Sequence, residues 1–267
     1  IDHNIYGNGL VPSDPINRLA SEGMKFNNAY TSQAICSPSR SQIFTGLYPI
    51  KNGCYANHLP VKKDIIDVND YLQSVGYEVV LAGKSHVNPS SVFNWTHYFK
   101  NEGKLLPMDK IKRYIKNAKK PFCMFITSDY PHGPFPTNTQ FSDEDIYQNP
   151  YSNRSLLPNE KGYYQNILYD NNQLEEVINF LDETNLSDNT IFIYASDGGL
   201  RGKWSVKESG LKIPLIVRWP NVVKPGTTSN DLINLVDILP TIIESTGNKI
   251  PKNLDGYSFL NNLKGET

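Results

Sequence analysis

Tyr77-Glu78-Val79-Val80-Leu81-Ala82, running into Gly83-Lys84-Ser85-His86, decides the fold. Val79 to Ala82 are apolar without interruption, which is the pattern of a strand buried on both faces. The stretch before it, residues 66–75, has helical periodicity and stops at Gly76. Helix, glycine stop, buried strand and polar turn form one unit, and the unit recurs. A basic amphipathic helix over 108–118 leads to the strand Phe122-Cys123-Met124-Phe125-Ile126-Thr127. A long helix over 162–183, apolar at Ile167, Leu168, Leu174, Val177, Ile178 and Leu181, leads to Ile191-Phe192-Ile193-Tyr194-Ala195. A fourth strand over 213–219 precedes a helix over 237–246 that Gly247 closes. This alternation predicts an α/β fold, a mostly parallel central sheet with helices on both faces. We see no repeat and no second domain, so residues 1–267 read as one domain. Residues 130–160 are polar and rich in Pro, Asn and Tyr, a loop long enough to be functional or mobile.

Composition narrows the partners. The chain has 267 residues, a formal net charge of -1 and 39% hydrophobic residues, enough for one large core. Near-neutral charge gives no support to nucleic-acid binding. No apolar run approaches a membrane span. The three cysteines, Cys36, Cys54 and Cys123, do not make a disulfide framework. Cys123 sits in an apolar strand and reads as core, and Cys54 has no assignment. The chain opens at Ile1 with neither a signal peptide nor a first hydrophobic strand, and we expect a fragment cut at both ends.

The third cysteine opens the most informative run, Cys36-Ser37-Pro38-Ser39-Arg40, followed by Thr45-Gly46. Ser37 is placed as a helix N-cap, Pro38 suits the first helical position, and Gly46 ends the helix. Cys36 would then sit ahead of a helix N-terminus, where backbone N–H groups and the helix dipole favour an anion. Ligands of open parallel sheets bind beyond the strands' carboxyl ends. Those ends here carry Gly83-Lys84-Ser85-His86, Asp129-Tyr130-Pro131-His132-Gly133-Pro134, and Ser196-Asp197-Gly198-Gly199 followed by Gly202-Lys203-Trp204. Two lysines, two histidines, an aspartate and Arg40 are expected to converge near Cys36.

Cys-x-Pro-Ser-Arg followed by Thr-Gly resembles the signature of the type I sulfatases, of the alkaline-phosphatase-like superfamily. The strand-end segments resemble the family's in order and wording, through Ile213-Pro214-Leu215-Ile216-Val217-Arg218-Trp219-Pro220 and Val236-Asp237-Ile238-Leu239-Pro240-Thr241 to Gly256-Tyr257-Ser258-Phe259-Leu260. The resemblance implies that Cys36 is oxidised to formylglycine, whose hydrate attacks sulfur and later expels sulfate to restore the aldehyde. It makes Arg40 the residue that fixes the hydrate and the metal side. Lys84 and Lys203 would neutralise sulfate oxygens. His86 would take the hydrate's proton, and His132, with Lys203, would protonate the leaving group. Asp197 would bind a divalent metal, calcium. His58, in Asn52-Gly53-x-Tyr55-x-Asn57-His58, is a substrate-binding candidate. That segment and Gly83-Lys84-Ser85-His86-Val87-x-Pro89 resemble the heparan N-sulfatase (sulfamidase) branch.

The resemblance therefore implies hydrolysis of sulfate esters or N-sulfates, on a sulfated small molecule or glycan. It also implies a formylglycine-generating or other sulfatase-maturing enzyme as partner, and a periplasmic, secreted or lysosome-like location. Three departures stand out. The family's first strand, ending in two adjacent aspartates, would lie before Ile1, with Asp2 close to the break. Its smaller C-terminal sheet would follow Gly265. Gly198 replaces a residue that usually donates a metal ligand. Two rival readings are a phosphodiesterase or phosphonate monoester hydrolase of the same superfamily, and a degenerate protein that only binds sulfated glycans.

Overall fold

A computed structural model describes residues 4–6, 11–148, 159–199 and 202–266. Within them the strands form two hydrogen-bonded sheets. The first holds, in spatial order, β5 (Phe192–Ala195), β6 (Leu215–Arg218), β1 (Met24–Tyr30) and β7 (Thr227–Asn234). The second holds β3 (His97–Phe99), β2 (Glu78–Gly83) and β4 (Phe122–Thr127). All of the second sheet is parallel. In the first, β1 and β7 are parallel, whereas β6 runs against both β1 and β5. Sequence alternation had made 213–219 one more strand of a parallel array. The reversal has a simple cause: Ala195 at the end of β5 pairs with Leu215 at the start of β6. The described part of the connection holds the four-residue helix α8 (Glu208–Leu211) and returns to the edge it left.

The expected helices are present as α4 (Val68–Gln73), α5 (Met108–Asn117), α7 (Glu160–Glu183) and α9 (Ile238–Ser245). α4 begins after Asp67, whose carboxylate accepts the Asn69 and Asp70 amides while Asp70 reaches back to the Asp67 N–H. That capping box fixes the start two residues later than the apolar pattern alone. The described part of the 130–160 loop contains α6 (Asp143–Gln148), and Phe141 packs against Tyr164 of α7. Residues 149–158 and Asp2 lie outside the described residues.

One expectation about α2 (Cys36–Thr45) is corrected. The helix starts at Cys36 itself, with Ile35 in the cap position and no side-chain cap bond. Ser37 is therefore inside the first turn. It cannot cap because tertiary partners take it: its hydroxyl accepts the His58 N–H at 3.1 Å and its own N–H donates to Asn57 Oδ1 at 3.2 Å. Gly46 ends the helix as expected, at φ +62°, with its N–H on Gln42 O.

α2 lies between the cores. Ile43 packs against both the cluster under the first sheet and the cluster under the second. Phe44 meets Phe93, Trp95 and Phe125 edge to face, with centroids 6.1, 5.1 and 4.9 Å apart. Such pairs add to the burial of large apolar rings. On the far side, nearly inaccessible Arg218 of β6 pairs with Glu22 at 2.7 Å and joins α1 (Asp14–Glu22) to the sheet. Among the described residues, no ladder joins β4 to β5. A cavity of about 950 Å³ opens there, lined by Phe125, Ile126, Ile167, Asp170, Ile193 and Tyr194.

Two glycines test how tightly the strand ends are set. Gly83 has φ +111°, and a Cβ there would stand 2.1 Å from Thr127 O across the ladder. Gly76 has φ +89° with nothing within 4 Å. Gly76→Ala is expected to cost about 1 kcal/mol, the strain of the backbone alone. Gly83→Ala adds a backbone clash and is expected to cost on the order of 3 kcal/mol or more. Urea unfolding of both variants measures this, and equal losses would mean that the β2–β4 contact is not close.

Candidate active site

The first residue of α2 is Cys36, 6% exposed. It stands at the head of a helix that is buried although it is mostly polar. Burial of polar groups is tolerated only when they are paired. Ser39 Oγ meets Thr31 Oγ1 at 2.8 Å and donates to Gln33 O at 2.6 Å. Gln42 donates to Thr31 Oγ1 and accepts from Ser32, both at 2.7 Å. Asn52 donates to Ser41 and Thr45. These bonds set the position of the cysteine.

Arg40, 9% exposed, reaches from α2 to both sheets. Its Nε donates to Asp197 Oδ2 at 3.1 Å, just beyond β5, and its Nη1 donates to Lys84 O at 2.9 Å, just beyond β2. Lys84 Nζ in turn pairs with Asp129, beyond β4, at 3.2 Å. Burial works against the Asp129 carboxylate, but the Lys84 ammonium, Asn101 and Arg40 together outweigh it and hold the acid below its ordinary range. Asn101 adds a bond at 3.3 Å. The ends of β2, β4 and β5 thus meet on one edge, as the strand-end reading predicts. Cys36, Arg40, Lys84, Asp129, His132, Asp197 and Lys203 line one cavity, continuous with the space between β4 and β5.

His132 and Lys203 touch. His132 Nδ1 donates to Gly133 O at 2.9 Å, which leaves Nε2 to accept from Lys203 Nζ at 3.4 Å. Two residues missed by sequence reasoning pin this loop. Lys104 donates to the carbonyls of His132 and Pro134, and its ammonium lies 5.4 Å from the Tyr130 ring centroid. Asn166 of α7 donates to His132 O at 3.1 Å. Lys104 lies in the loop after β3, a strand with no signal in the sequence, and Asn166 lies within α7, so no local signal marked them.

His86 and His58 stand together. Their rings meet at 3.0 Å through His86 Nε2 and His58 Nδ1. Burial, with Lys84 and Arg40 nearby, lowers His86 to about 4, so its ring is neutral at neutral pH. His58, exposed to solvent, is turned toward His86 rather than standing alone in its loop.

The implied metal fits less well. No three His, Cys, Asp or Glu side chains come together to hold a metal among the described residues. Asp197 gives one carboxylate, and Arg40 already bonds one of its oxygens. Gly198 has φ +152°, with the Ala34 backbone 3.5 Å from a Cβ built there. The described residues do not by themselves make the shell of six or more oxygens that calcium takes. Cys36 shares its cavity with three cations, Arg40, Lys84 and Lys203, which suits an anion beside it. A further acid sits deeper. Burial raises Asp170 of α7, beside Ser128, to about 7.

The geometry can now be set beside known proteins. The sulfatase family model matches residues 2–105 and 106–248. The chain is 49% identical over 276 residues to the ulvan-active sulfatase of Formosa agariphila, with 99% of this chain and 55% of that protein covered. The chain thus spans about half the length of that relative. BT4656, solved in complex with its substrate D-glucosamine-2-N,6-O-disulfate, aligns with a TM-score of 0.79 at 21% identity, over 99% of this chain and 77% of that one. A phosphonate monoester hydrolase of Agrobacterium radiobacter aligns at 0.78 and 16% identity, over 99% and 75%. At those identities the two structures speak for the fold alone. With the cysteine run at the head of α2 and the family match extending over most of its length, the chain belongs to the sulfatase family.

Proposed function

We propose that the protein hydrolyses sulfate groups on a sulfated glycan, with a formylglycine made from Cys36 as nucleophile. One observation carries the reading. Cys36 opens α2 in a cavity that it shares with Arg40, Lys84, Lys203 and His132. Among the described residues Lys203 meets no carboxylate, so an anion is its natural partner. Formylglycine, once formed, supplies a hydrated aldehyde that can release sulfate where a serine would stay esterified. The chain's own residues do the rest. Lys84 and Lys203 bind the sulfate oxygens and oppose the charge that builds in the transition state. Arg40 holds the nucleophile's helix against the strand ends. His132 and Lys203 act together as the leaving group's acid, the proton coming from the Lys203 ammonium that donates to His132 Nε2. His86 serves the nucleophile as a hydrogen-bonding partner.

Asp197 is the calcium ligand that the described residues offer, and further oxygens must join it. The gap between β4 and β5 is the place for the family's first strand, whose paired aspartates would arrive beside Asp197. The relative at 49% identity acts on ulvan, which favours a sulfated polysaccharide of that kind over a small aryl ester. Among the described residues no helix is long and apolar enough to cross a membrane. An exported location and a maturing enzyme as partner follow the family.

Expressed whole with a formylglycine-generating enzyme, the protein should carry the aldehyde at Cys36 in peptide mass spectrometry. An unmodified thiol, beside a converted control sulfatase, would sink the nucleophile assignment. Cys36→Ala should abolish turnover, while Cys54→Ala and Cys123→Ala should alter stability at most.

Lys84→Ala and Lys203→Ala should each slow hydrolysis of desulfatable ulvan oligosaccharides about a hundredfold or more, with a smaller loss of ground-state binding. Near-normal rates in both would remove the strand-end cluster from the chemistry. Faster turnover of a phosphonate monoester than of any sulfate would favour that hydrolase class. Tight glycan binding without turnover by the converted protein would favour the non-catalytic binder.

A further inference from the structure

We propose that His58 is a positioning residue for His86: hydrogen bonds running one way, from the Ser37 amide through Asn57 and His58, hold His86 as the neutral tautomer with its proton on Nδ1. The direction follows from a single backbone group. Ser37 N–H, in the first turn of α2, can only donate. It donates to the Asn57 side chain at 3.2 Å, so the atom it meets is the amide oxygen. The other end of that amide is then NH₂, which also can only donate. It faces His58 Nε2 at 3.0 Å. His58 Nε2 must therefore be bare and accept. A neutral His58 then carries its proton on Nδ1, and that nitrogen lies 3.0 Å from His86 Nε2. His86 Nε2 must accept in turn. The remaining proton of neutral His86 is on Nδ1, which is buried and meets no partner among the described residues.

Two further features show that the arrangement is built. His58 and His86 have φ of +66° and +58°, in the left-handed region that side chains other than glycine rarely adopt. Both backbones hold this strain at the point where the two rings meet, as strained residues do at functional sites. The Ser37 hydroxyl also accepts the His58 amide at 3.1 Å, so the pair Asn57–His58 is clamped to the same helix turn at two points. That turn begins with Cys36. Any shift of the nucleophile's turn therefore moves the group that orients His86.

The consequence for chemistry rests on the function proposed above. His86 stands among Lys84, Arg40, His58 and Asp197. In the fixed tautomer its buried Nδ1 carries a proton, so under that reading it acts first as a hydrogen-bond donor, toward an oxygen of the nucleophile or of sulfate. To accept a proton at Nδ1, it would have to place its own proton on Nε2 and donate to His58. His58 would then carry its proton on Nε2, against the Asn57 NH₂. Asn57 blocks that reversal, and with it a direct role for resting His86 as base.

Neutron diffraction from perdeuterated crystals of the whole protein, at about pH 8 where imidazoles are ordinarily neutral, reads the deuterons directly. The expected result is deuterium on His86 Nδ1 and His58 Nδ1, with both Nε2 atoms bare. In Asn57→Leu, which removes the fixed donor, deuterium should appear on His86 Nε2. Deuterium on His86 Nε2 in the unaltered protein would overturn the proposal, and so would an unchanged His86 Nδ1–D in Asn57→Leu. In steady-state kinetics, His58→Ala should lower kcat about tenfold or more with KM nearly unchanged. His58→Asn, whose Nδ2 can replace the lost donor, should restore most of it. A raised KM with unchanged kcat would make His58 a substrate contact instead. Should the whole protein hydrolyse no sulfate, the functional reading fails, while the neutron result still decides the tautomer.

Discussion

The guanidinium of Arg40 is the contact on which the arrangement turns. Among the described residues no ladder joins β4 to β5, and side chains bridge the two sheets. Arg40 spans the break at its functional end, with Asp197 on one side and Lys84 O on the other. Arginine suits this because its planar fork offers several donors in fixed directions and keeps its charge when buried. Removing it would leave Asp197 without its cation and the Lys84 carbonyl without its donor. It would also unseat the helix that starts at Cys36.

The electrostatics of the site follow from that geometry. Asp129 and Asp197 are each paired with a base. Lys203 meets His132 Nε2, and Lys104 meets carbonyl oxygens, so neither is paired with a carboxylate among the described residues. A cavity of this kind is prepared for an anion before one arrives. Pre-set charge costs no reorganisation at the moment of reaction, which is why such groups lower barriers as well as bind.

Local sequence and long-range packing contributed unequally to the fold. The four strands read from the sequence are those with at least three consecutive apolar residues, and four helices are placed to within two residues at each end. β1, β3 and β7 gave no such signal. β1 reads Met24-Lys25-Phe26-Asn27-Asn28-Ala29-Tyr30, and it is a strand because β6 and β7 pair with it on either side. The antiparallel course of β6 was equally hidden, since alternation tells which elements occur and not at which edge a connection returns.

For the candidate site, the sequence by itself determined which groups are present: a cysteine at a helix start, and lysine, histidine and aspartate directly after buried strands. These were legible because parallel strands bring their carboxyl ends to one edge, so order along the chain converts to nearness in space. Only the tertiary structure decided how those groups address one another. It showed that Ser37 is bonded to the 57–58 loop and does not cap α2. It brought Lys104 and Asn166 to the His132 loop, and set His58 against His86. Each of these contacts joins residues at least 20 positions apart through the direction of a donor or acceptor. A sequence carries the donors and acceptors, but their directions exist only once the backbone is fixed.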